Sequence, residues 1–189
     1  MVITISAVIL AGGLGRRMGG KDKGLVLWKG KPLYQHIADR LQHQPIDIMI
    51  NANRNQEKYA QSGFPVFADE LAGFQGPLSG ILTGLKYAKT DYVLFVPCDS
   101  PCFPENLLDK LKNALKNDRT LAAYACDLQR SHPTFCLLST KLIQKLSYYL
   151  QSGERKMLQF MQQCQASRVI FDKDEGEFVN FNTLNELEK

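Results

Sequence analysis

No apolar run in this 189-residue chain approaches the ~20 residues that a membrane-spanning helix needs. The opening Met1-Val2-Ile3-Thr4-Ile5 has no basic stretch ahead of it and no small-residue cleavage site behind it, so it does not read as a secretory signal. The five cysteines (Cys98, Cys102, Cys126, Cys136 and Cys164) are odd in number and include no C-x-x-C pair, which argues against a zinc ribbon or a redox dithiol. Reduced thiols, mostly buried, and a cytoplasmic location are the expectation. The three histidines, His36, His43 and His132, do not fall at metal-ligand spacing. They read as surface or hydrogen-bonding residues, with His132 placed in a turn. There is no G-x-S-x-G elbow and no Ser-His-Asp order, so acyl transfer has no support. Charge of one sign is also scarce. Lys plus Arg number 23 against 19 Asp plus Glu, a net charge of +4, which suits an anionic small molecule and is too weak to argue for nucleic acid. Neither nucleic acid nor membrane is an expected partner.

What is present is an ordinary globular composition, 44% hydrophobic and 22% charged, which excludes a disordered chain. A chain of this size buries about 70% of its unfolded surface and needs no staple. No repeat and no Pro-, Gly- or Ser-rich linker divides it, so residues 1–189 are expected to form a single domain.

Runs rich in β-branched residues predict strands at Ile3 to Leu10, Ile46 to Ile50 and Val66 to Ala68. Five apolar residues, Tyr92 to Val96, predict a central strand covered on both faces. Later strands are expected at Leu121 to Cys126 and Thr134 to Leu138, joined by a polar turn over Asp127 to Pro133, and at Arg168 to Phe171. Helical spacing predicts helices at Leu33 to Leu41 (with Pro32 at its first turn), Gln56 to Gln61, Leu78 to Ala88, Leu107 to Leu115, Leu142 to Leu150 and Met157 to Met161. Capping-box spacing over Thr183 to Glu186 starts a C-terminal helix. Strands alternate with helices for two thirds of the chain. That order predicts a three-layer α/β/α domain with a mainly parallel sheet.

The segment from Leu10 to Gly24 holds six glycines in fifteen residues, together with Arg16, Arg17, Lys21 and Lys23. It directly follows the first strand, where an open α/β sheet binds its ligands. Glycines admit tight turns and close approach of a ligand to backbone amides, and the cations offer charge to a polyphosphate. Two familiar templates fail. The dinucleotide fingerprint needs glycine where Met18 stands after Gly13 and Gly15. The Walker spacing fits Gly15, Gly20 and Lys21, but Asp22 replaces the magnesium-binding hydroxyl.

Asp99 ends the central strand on the same crevice. It reads either as the carboxylate for a hard dication or as a loop residue capping the helix near Pro104. Asp69, after the third strand, reads either as a crevice-rim contact or as an Asx-turn residue. Asn51 ends the second strand, and its amide can both donate and accept, as a purine edge or ribose requires. Trp28 and Tyr34 read as packing rather than as base-stacking residues.

The string Leu10-Ala11-Gly12-Gly13-x-Gly15-x-Arg17-Met18, with Lys23 following, resembles the signature loop of the nucleotidyltransferases. The fuller string resembles the molybdenum cofactor guanylyltransferases, the MobA family. So do Asn51-Ala52-Asn53-Arg54, Gly76-Pro77-Leu78-x-Gly80, Pro97-Cys98-Asp99-Ser100-Pro101, His132-Pro133-Thr134, Gly153-Glu154-Arg155 and Val179-Asn180-Phe181-Asn182-Thr183. The blocks run through nearly the whole chain. One departure is Leu184-Asn185, where the family has Pro-Glu; it alters only a helix start.

The resemblance implies a Rossmann-like nucleotidyltransferase fold. It also implies transfer of GMP from GTP to the phosphate of molybdenum-molybdopterin, releasing pyrophosphate, with Mg²⁺ as cofactor. Arg17, Lys23 and Asp99 would be catalytic, with Asp99 holding the metal. Leu10, Ala11, Gly12, Gly13, Gly15, Lys23, Asn51, Asp69, Gly76, Gly80 and Asp99 would meet the nucleotide, with backbone carbonyls around Leu10 and Ala11, or the side chains of Asn51 or Asp69, accepting from guanine. Asn180 and Asn182 would orient the pterin acceptor. Implied partners are GTP, the molybdopterin or molybdenum cofactor, other cofactor-biosynthesis proteins, and the apo-molybdoenzyme or its chaperone. Two rivals stay open: a cytidylyl or sugar-phosphate transferase of the same fold, and a non-catalytic nucleotide-binding module. Against the first, Leu-Ala-Gly-Gly stands here where cytidylyl relatives carry Leu-Ala-Ala-Gly. Against the second, Arg17, Lys23 and Asp99 occur together.

Overall fold

The computed structural model describes residues 3–13, 20–73, 76–172 and 178–181. The first apolar run becomes β1 (Ile5–Leu10). The next elements are a short hairpin of β2 (Leu27–Trp28) and β3 (Lys31–Pro32), then α1 (Leu33–Gln42), β4 (Asp47–Asn51), α2 (Gln56–Ala60), β5 (Val66–Phe67) and α3 (Pro77–Tyr87). The remainder is β6 (Tyr92–Pro97), α4 (Leu107–Asp118), β7 (Ala122–Cys126), β8 (Ser131–Ser139), α5 (Ile143–Gln151), α6 (Met157–Gln163) and β9 (Ser167–Ile170).

Seven strands form one sheet in the order β5-β4-β1-β6-β8-β7-β9. β1 pairs in parallel with β4 and β6, β4 with β5, and β7 with β9. β8 runs against both of its neighbours. The cause is local: a tight turn, which cannot return a strand in parallel, joins β7 to β8. In that turn Asp127 Oδ1 accepts from the backbone N–H groups of Gln129 and Arg130, each at 2.7 Å.

Alternation along the central strands sends side chains to two faces. Ala7, Ile9, Leu94 and Val96 pack in one core with Ile37 and Leu41 of α1, Tyr59 of α2 and Leu111 of α4. Val8, Leu10, Val93 and Phe95 pack in a second core with Ile81 and Leu85 of α3, Leu146 of α5 and Phe160 of α6. Helices therefore cover both faces, which makes the α/β/α sandwich that the element order implies. β6 stands fourth of seven, as its unbroken apolar run requires. At its N-terminal end Asp91 Oδ2 accepts from Thr4 N at 2.9 Å and from Thr4 Oγ1 at 2.8 Å. These bonds tie β6 to β1 and hold the Asp91 carboxyl below its ordinary pKa.

Three features depart from the expectations. The β2–β3 hairpin turns through Lys29 (φ 50°) and Gly30 (φ 76°), the two positive φ values of a type I′ turn. Pro32 caps α1 from extended backbone (φ −56°, ψ 143°) instead of lying in its first turn. β8 begins at Ser131, so His132 lies in a strand and not in a turn. The C-terminal helix expected from Thr183 lies outside the described residues.

From β1 the chain lays β4 and β5 on one side, then crosses by α3 to place β6 on the other. Strand order thus reverses at β1, and the carboxyl ends of β1 and β6 open onto the crevice where such sheets bind ligands.

Candidate active site

Two charged side chains meet in that crevice. Lys23 lies on a single 3₁₀ turn, Lys23–Leu25, beyond the glycine segment; Asp99 follows β6. Lys23 Nζ donates to Asp99 Oδ2 at 3.0 Å, with the two side chains only 20% and 18% exposed. The pair is held from several directions. Cys98 N donates to the Leu10 carbonyl at 3.0 Å, which extends the β1–β6 ladder up to Asp99. Ser100, fully buried, has its hydroxyl oxygen 3.3 Å from Asp99 Oδ1. The turn carrying Lys23 is anchored through Asp22, whose carboxylate accepts from the buried Tyr59 hydroxyl at 2.5 Å and from Asn55 Nδ2 at 3.1 Å. A Cβ on Gly24 would stand 2.4 Å from that hydroxyl, so glycine is required for the turn to sit on Tyr59. Burial, followed by the nearby Asp99 and Asp22 carboxylates, pushes the Cys98 thiol well above its ordinary pKa. It is a neutral packing group beside the site, not a nucleophile.

On the other side of β1, Asn51 Nδ2 donates to Asp69 Oδ1 at 2.8 Å. Asn51 is 2% exposed and is enclosed by two glycines. A Cβ on Gly80 of α3 would stand 2.2 Å from Asn51 Oδ1, and one on Gly12 would stand 3.0 Å from the same atom and 2.8 Å from Asn53 Nδ2. Gly12 and Gly80 therefore make room for this polar pair, whereas a Cβ on Gly13 would meet nothing within 4 Å. Gly76, at φ +83°, caps the start of α3 in a conformation that favours glycine.

The late segment closes on the same crevice. Phe181 N donates to the Asp99 carbonyl at 2.8 Å, and Ser100 Oγ donates to Asn180 Oδ1. Asn180 thus stands one hydroxyl away from Asp99. Trp28 packs on His36 and Phe181 with ring centroids 4.8 and 5.2 Å apart, and Tyr34 meets Tyr59 edge-on at 4.9 Å. Both aromatics are packing residues. His132 is buried, bonded through Nε2 to Asp127 Oδ2 at 2.6 Å and stacked on Phe178 at 4.6 Å.

The MobA-like NTP transferase domain family matches residues 7–168 of this chain. The chain belongs to that family. It is 62% identical over 189 residues to a molybdenum cofactor guanylyltransferase of Haemophilus influenzae (strain ATCC 51907 / DSM 11121 / KW20 / Rd), covering 100% of this chain and 98% of the relative. It is 58% identical over 188 residues to the protein of that name from Pasteurella multocida (strain Pm70), covering 100% of both. The crystal structure of molybdopterin-guanine dinucleotide biosynthesis protein A from Archaeoglobus fulgidus overlays with a TM-score of 0.76 at 20% identity, across 97% of this chain and 95% of that one. A CMP:2-keto-3-deoxy-manno-octonic acid synthetase complexed with CTP overlays equally well, with a TM-score of 0.77 at 13% identity across 98% of this chain and 95% of that one. The fold is therefore Rossmann-like nucleotidyltransferase, and by itself it does not choose the base.

Of the site residues expected in this MobA-like chain, the structure brings Leu10, Ala11, Gly12, Gly13, Lys23, Asn51, Asp69, Gly80, Asp99 and Asn180 to the carboxyl-end crevice or its walls. Gly76 stands at the start of α3. Gly15, Arg17 and Asn182 lie outside the described residues. Two expected acceptors for guanine carry prior bonds: the Leu10 carbonyl accepts from Cys98 N, and Asp69 Oδ1 accepts from Asn51 Nδ2. Four participants were not singled out by sequence reasoning: Asn53, Arg54, Ser100 and Asp22. The first three lie inside the Asn51-Ala52-Asn53-Arg54 and Pro97 to Pro101 blocks, so the signal was present without an assigned role. No group of three or more His, Cys, Asp or Glu side chains is arranged to hold a metal among the described residues. A metal here would depend on Asp99 with phosphate oxygens and water, which is how Mg²⁺ is commonly held.

Proposed function

We propose that this chain is a Mg²⁺-dependent molybdenum cofactor guanylyltransferase. It transfers GMP from GTP to the terminal phosphate of molybdopterin bearing molybdenum. An oxygen of the acceptor phosphate bonds to the α-phosphorus of GTP, and the bond from that phosphorus to the bridging oxygen of the β-phosphate breaks. The electron pair leaves with pyrophosphate. The attacking group is already an anion, so no general base is needed, and the chain's contribution is positioning and charge stabilisation.

The observation that carries this reading is the Lys23–Asp99 pair, 3.0 Å apart, beside a glycine turn where strand order reverses. Lys23, with Arg17, neutralises the leaving pyrophosphate and the α-phosphoryl oxygens. Asp99 would hold Mg²⁺, which supplies charge neutralisation to the phosphates when bound. Asp69, oriented by Asn51, faces the nucleotide. Asn180, bonded to Ser100, the residue directly after Asp99, orients the acceptor with Asn182.

Guanine is favoured over cytosine by Leu10-Ala11-Gly12-Gly13. Alanine at position 12, as cytidylyl relatives have it, would put its Cβ 2.8 Å from Asn53 Nδ2. The test is competition binding of GTP, inosine triphosphate, CTP and ATP with Mg²⁺. GTP should bind tightest, and inosine triphosphate, which lacks only the 2-amino group, should be intermediate. A site built to bond guanine's donors rejects ligands lacking them by as much as ~10⁴-fold. Equal affinity for CTP and GTP would overturn the guanylyl assignment.

A further inference from the structure

Three backbone carbonyls of the glycine segment are held by two consecutive side chains that follow β4. Asn53 Nδ2 donates to the Gly12 carbonyl at 3.0 Å. Arg54 Nη2 donates to the Gly13 carbonyl at 3.3 Å, and its Nη1 to the Gly20 carbonyl at 2.9 Å. One guanidinium therefore grips both ends of the stretch that carries Gly15 and Arg17. The grip has a firm base, because Asn53 Oδ1 accepts from Asp69 N at 2.8 Å and Ala52 N donates to the Phe67 carbonyl of β5 at 2.8 Å.

This arrangement fixes where amides point. No cis peptide occurs among the described residues, and in a trans peptide the N–H lies opposite the C=O. With the Gly12 carbonyl on Asn53, the Gly13 N–H faces away from Asn53. With the Gly20 carbonyl on Arg54, the Lys21 N–H faces away from Arg54. Gly20 sits at φ +80°, a conformation open to glycine and strained for other residues, which lets its carbonyl turn toward the guanidinium.

We infer that Arg54 is a positioning residue for the triphosphate. Its forked guanidinium holds the Gly13 and Gly20 carbonyls together, so that the Gly13 and Lys21 amides at the two ends of the glycine segment meet the phosphates already oriented. It acts through backbone carbonyls and does not touch phosphate. Such bracing removes ordering cost that binding would otherwise carry. The inference rests on the GTP-binding reading above. The geometry is specific to arginine: a planar guanidinium can donate to two separated acceptors at once, whereas a lysine ammonium on the same position is a point charge.

The test is calorimetric titration of wild-type protein, Arg54→Lys and Arg54→Ala with GTP and with guanosine, alongside thermal melting and steady-state kinetics. Both variants should bind GTP roughly tenfold or more weakly, since each loses a forked pair of hydrogen bonds from a charged donor. Lysine should do no better than alanine. Guanosine affinity and the KM for molybdopterin should stay at wild-type values, while the melting temperature falls by roughly a few degrees with the transition still cooperative. Recovery of GTP affinity in Arg54→Lys would overturn the inference, because charge alone would then suffice. Equal losses for GTP and guanosine would also overturn it, since a general disturbance of the pocket would explain them. Normal GTP binding in both variants refutes the Arg54 role alone, whereas a wild-type protein that does not bind GTP refutes the reading beneath it.

Discussion

Lys23 and Asp99 are 76 positions apart in the chain, yet Lys23 Nζ lies 3.0 Å from Asp99 Oδ2. Neither residue belongs to a regular strand or a long helix. Their meeting depends on β1 and β6 being parallel neighbours in register, Leu10 opposite Pro97. The two charges satisfy each other at that distance; under the proposed function Lys23 would turn to phosphate and Asp99 to a metal, each exchanging one charged partner for another.

Asp99→Ala should therefore lose turnover by on the order of 10²-fold or more, given the several kcal/mol that metal charge stabilisation supplies. Lys23→Ala should weaken GTP use more than pterin binding. Each truncation takes the 3.0 Å partner from a largely buried charge, so the melting temperature should fall as well. Pyrophosphate release measured beside melting curves checks this, and wild-type turnover in Asp99→Ala would remove that carboxylate from the mechanism.

Gly80→Ala sets two effects against each other. Alanine gains about 1 kcal/mol of helix propensity over glycine. Its Cβ, however, would stand 2.2 Å from Asn51 Oδ1 and 3.3 Å from Asp69 Oδ1, and overpacking of this kind costs about 1–3 kcal/mol. Asn51 is buried and hydrogen-bonded, so it cannot swing clear cheaply, and the clash should win. A lower urea midpoint and weaker GTP binding are expected. Gly12→Ala, which approaches Asn53 Nδ2 at 2.8 Å, should weaken GTP binding too.

Much of the fold was legible because apolar runs and helical spacing speak directly of buried faces. Tyr92 to Val96 announced a central strand, and the six helices from Leu33 to Gln163 fell within a few residues of their expected ends. The β2–β3 hairpin was not legible, since its strands are two residues each and carry no alternation. His132 read as a turn residue because Ser131-His132-Pro133-Thr134 is polar. Its burial comes from Asp127 and Phe178, partners that local spacing does not reveal. At the site, residue types were legible and pairings were not. Nothing local to Asn51 shows that it spends its amide on Asp69, or that Arg54 reaches back to Gly13 and Gly20.

Tyr59→Phe isolates the support beneath Lys23. It deletes the hydroxyl that donates to Asp22 at 2.5 Å and leaves the ring packing with Tyr34 intact. Loss of a hydrogen bond to a charged acceptor should lower stability by about 1.5–3 kcal/mol. It should also raise the KM for GTP, because Asp22 precedes Lys23 on the same turn. Chemical denaturation and kinetics on one preparation test both parts; an unchanged KM would mean that the turn holds without Tyr59.

The Asp127–His132 pair should show itself in acid. The hydrogen bond from His132 holds the Asp127 carboxyl at about 2, below its ordinary 3.8. A carboxyl whose folded pKa is depressed contributes stability above its unfolded pKa and loses it as pH falls toward the folded value. Asp127→Asn should thus be less stable than wild type near neutral pH, and the gap should narrow as pH falls from the unfolded value near 3.8 toward about 2. Urea midpoints for the two proteins across that range measure it. A gap that stays constant would show that the carboxylate's charge is not what matters.

Guanylyl transfer at the Lys23–Asp99 crevice is tested most directly by the fate of the α-phosphate. Wild-type protein is incubated with Mg²⁺, molybdenum-molybdopterin and GTP carrying radiolabel on the α-phosphorus, in a single turnover. The expected result is label joined to the pterin in step with release of unlabelled pyrophosphate, with both lost in Asp99→Ala. Label left in GDP with release of inorganic phosphate, or pyrophosphate release that persists undiminished without acceptor, would contradict it.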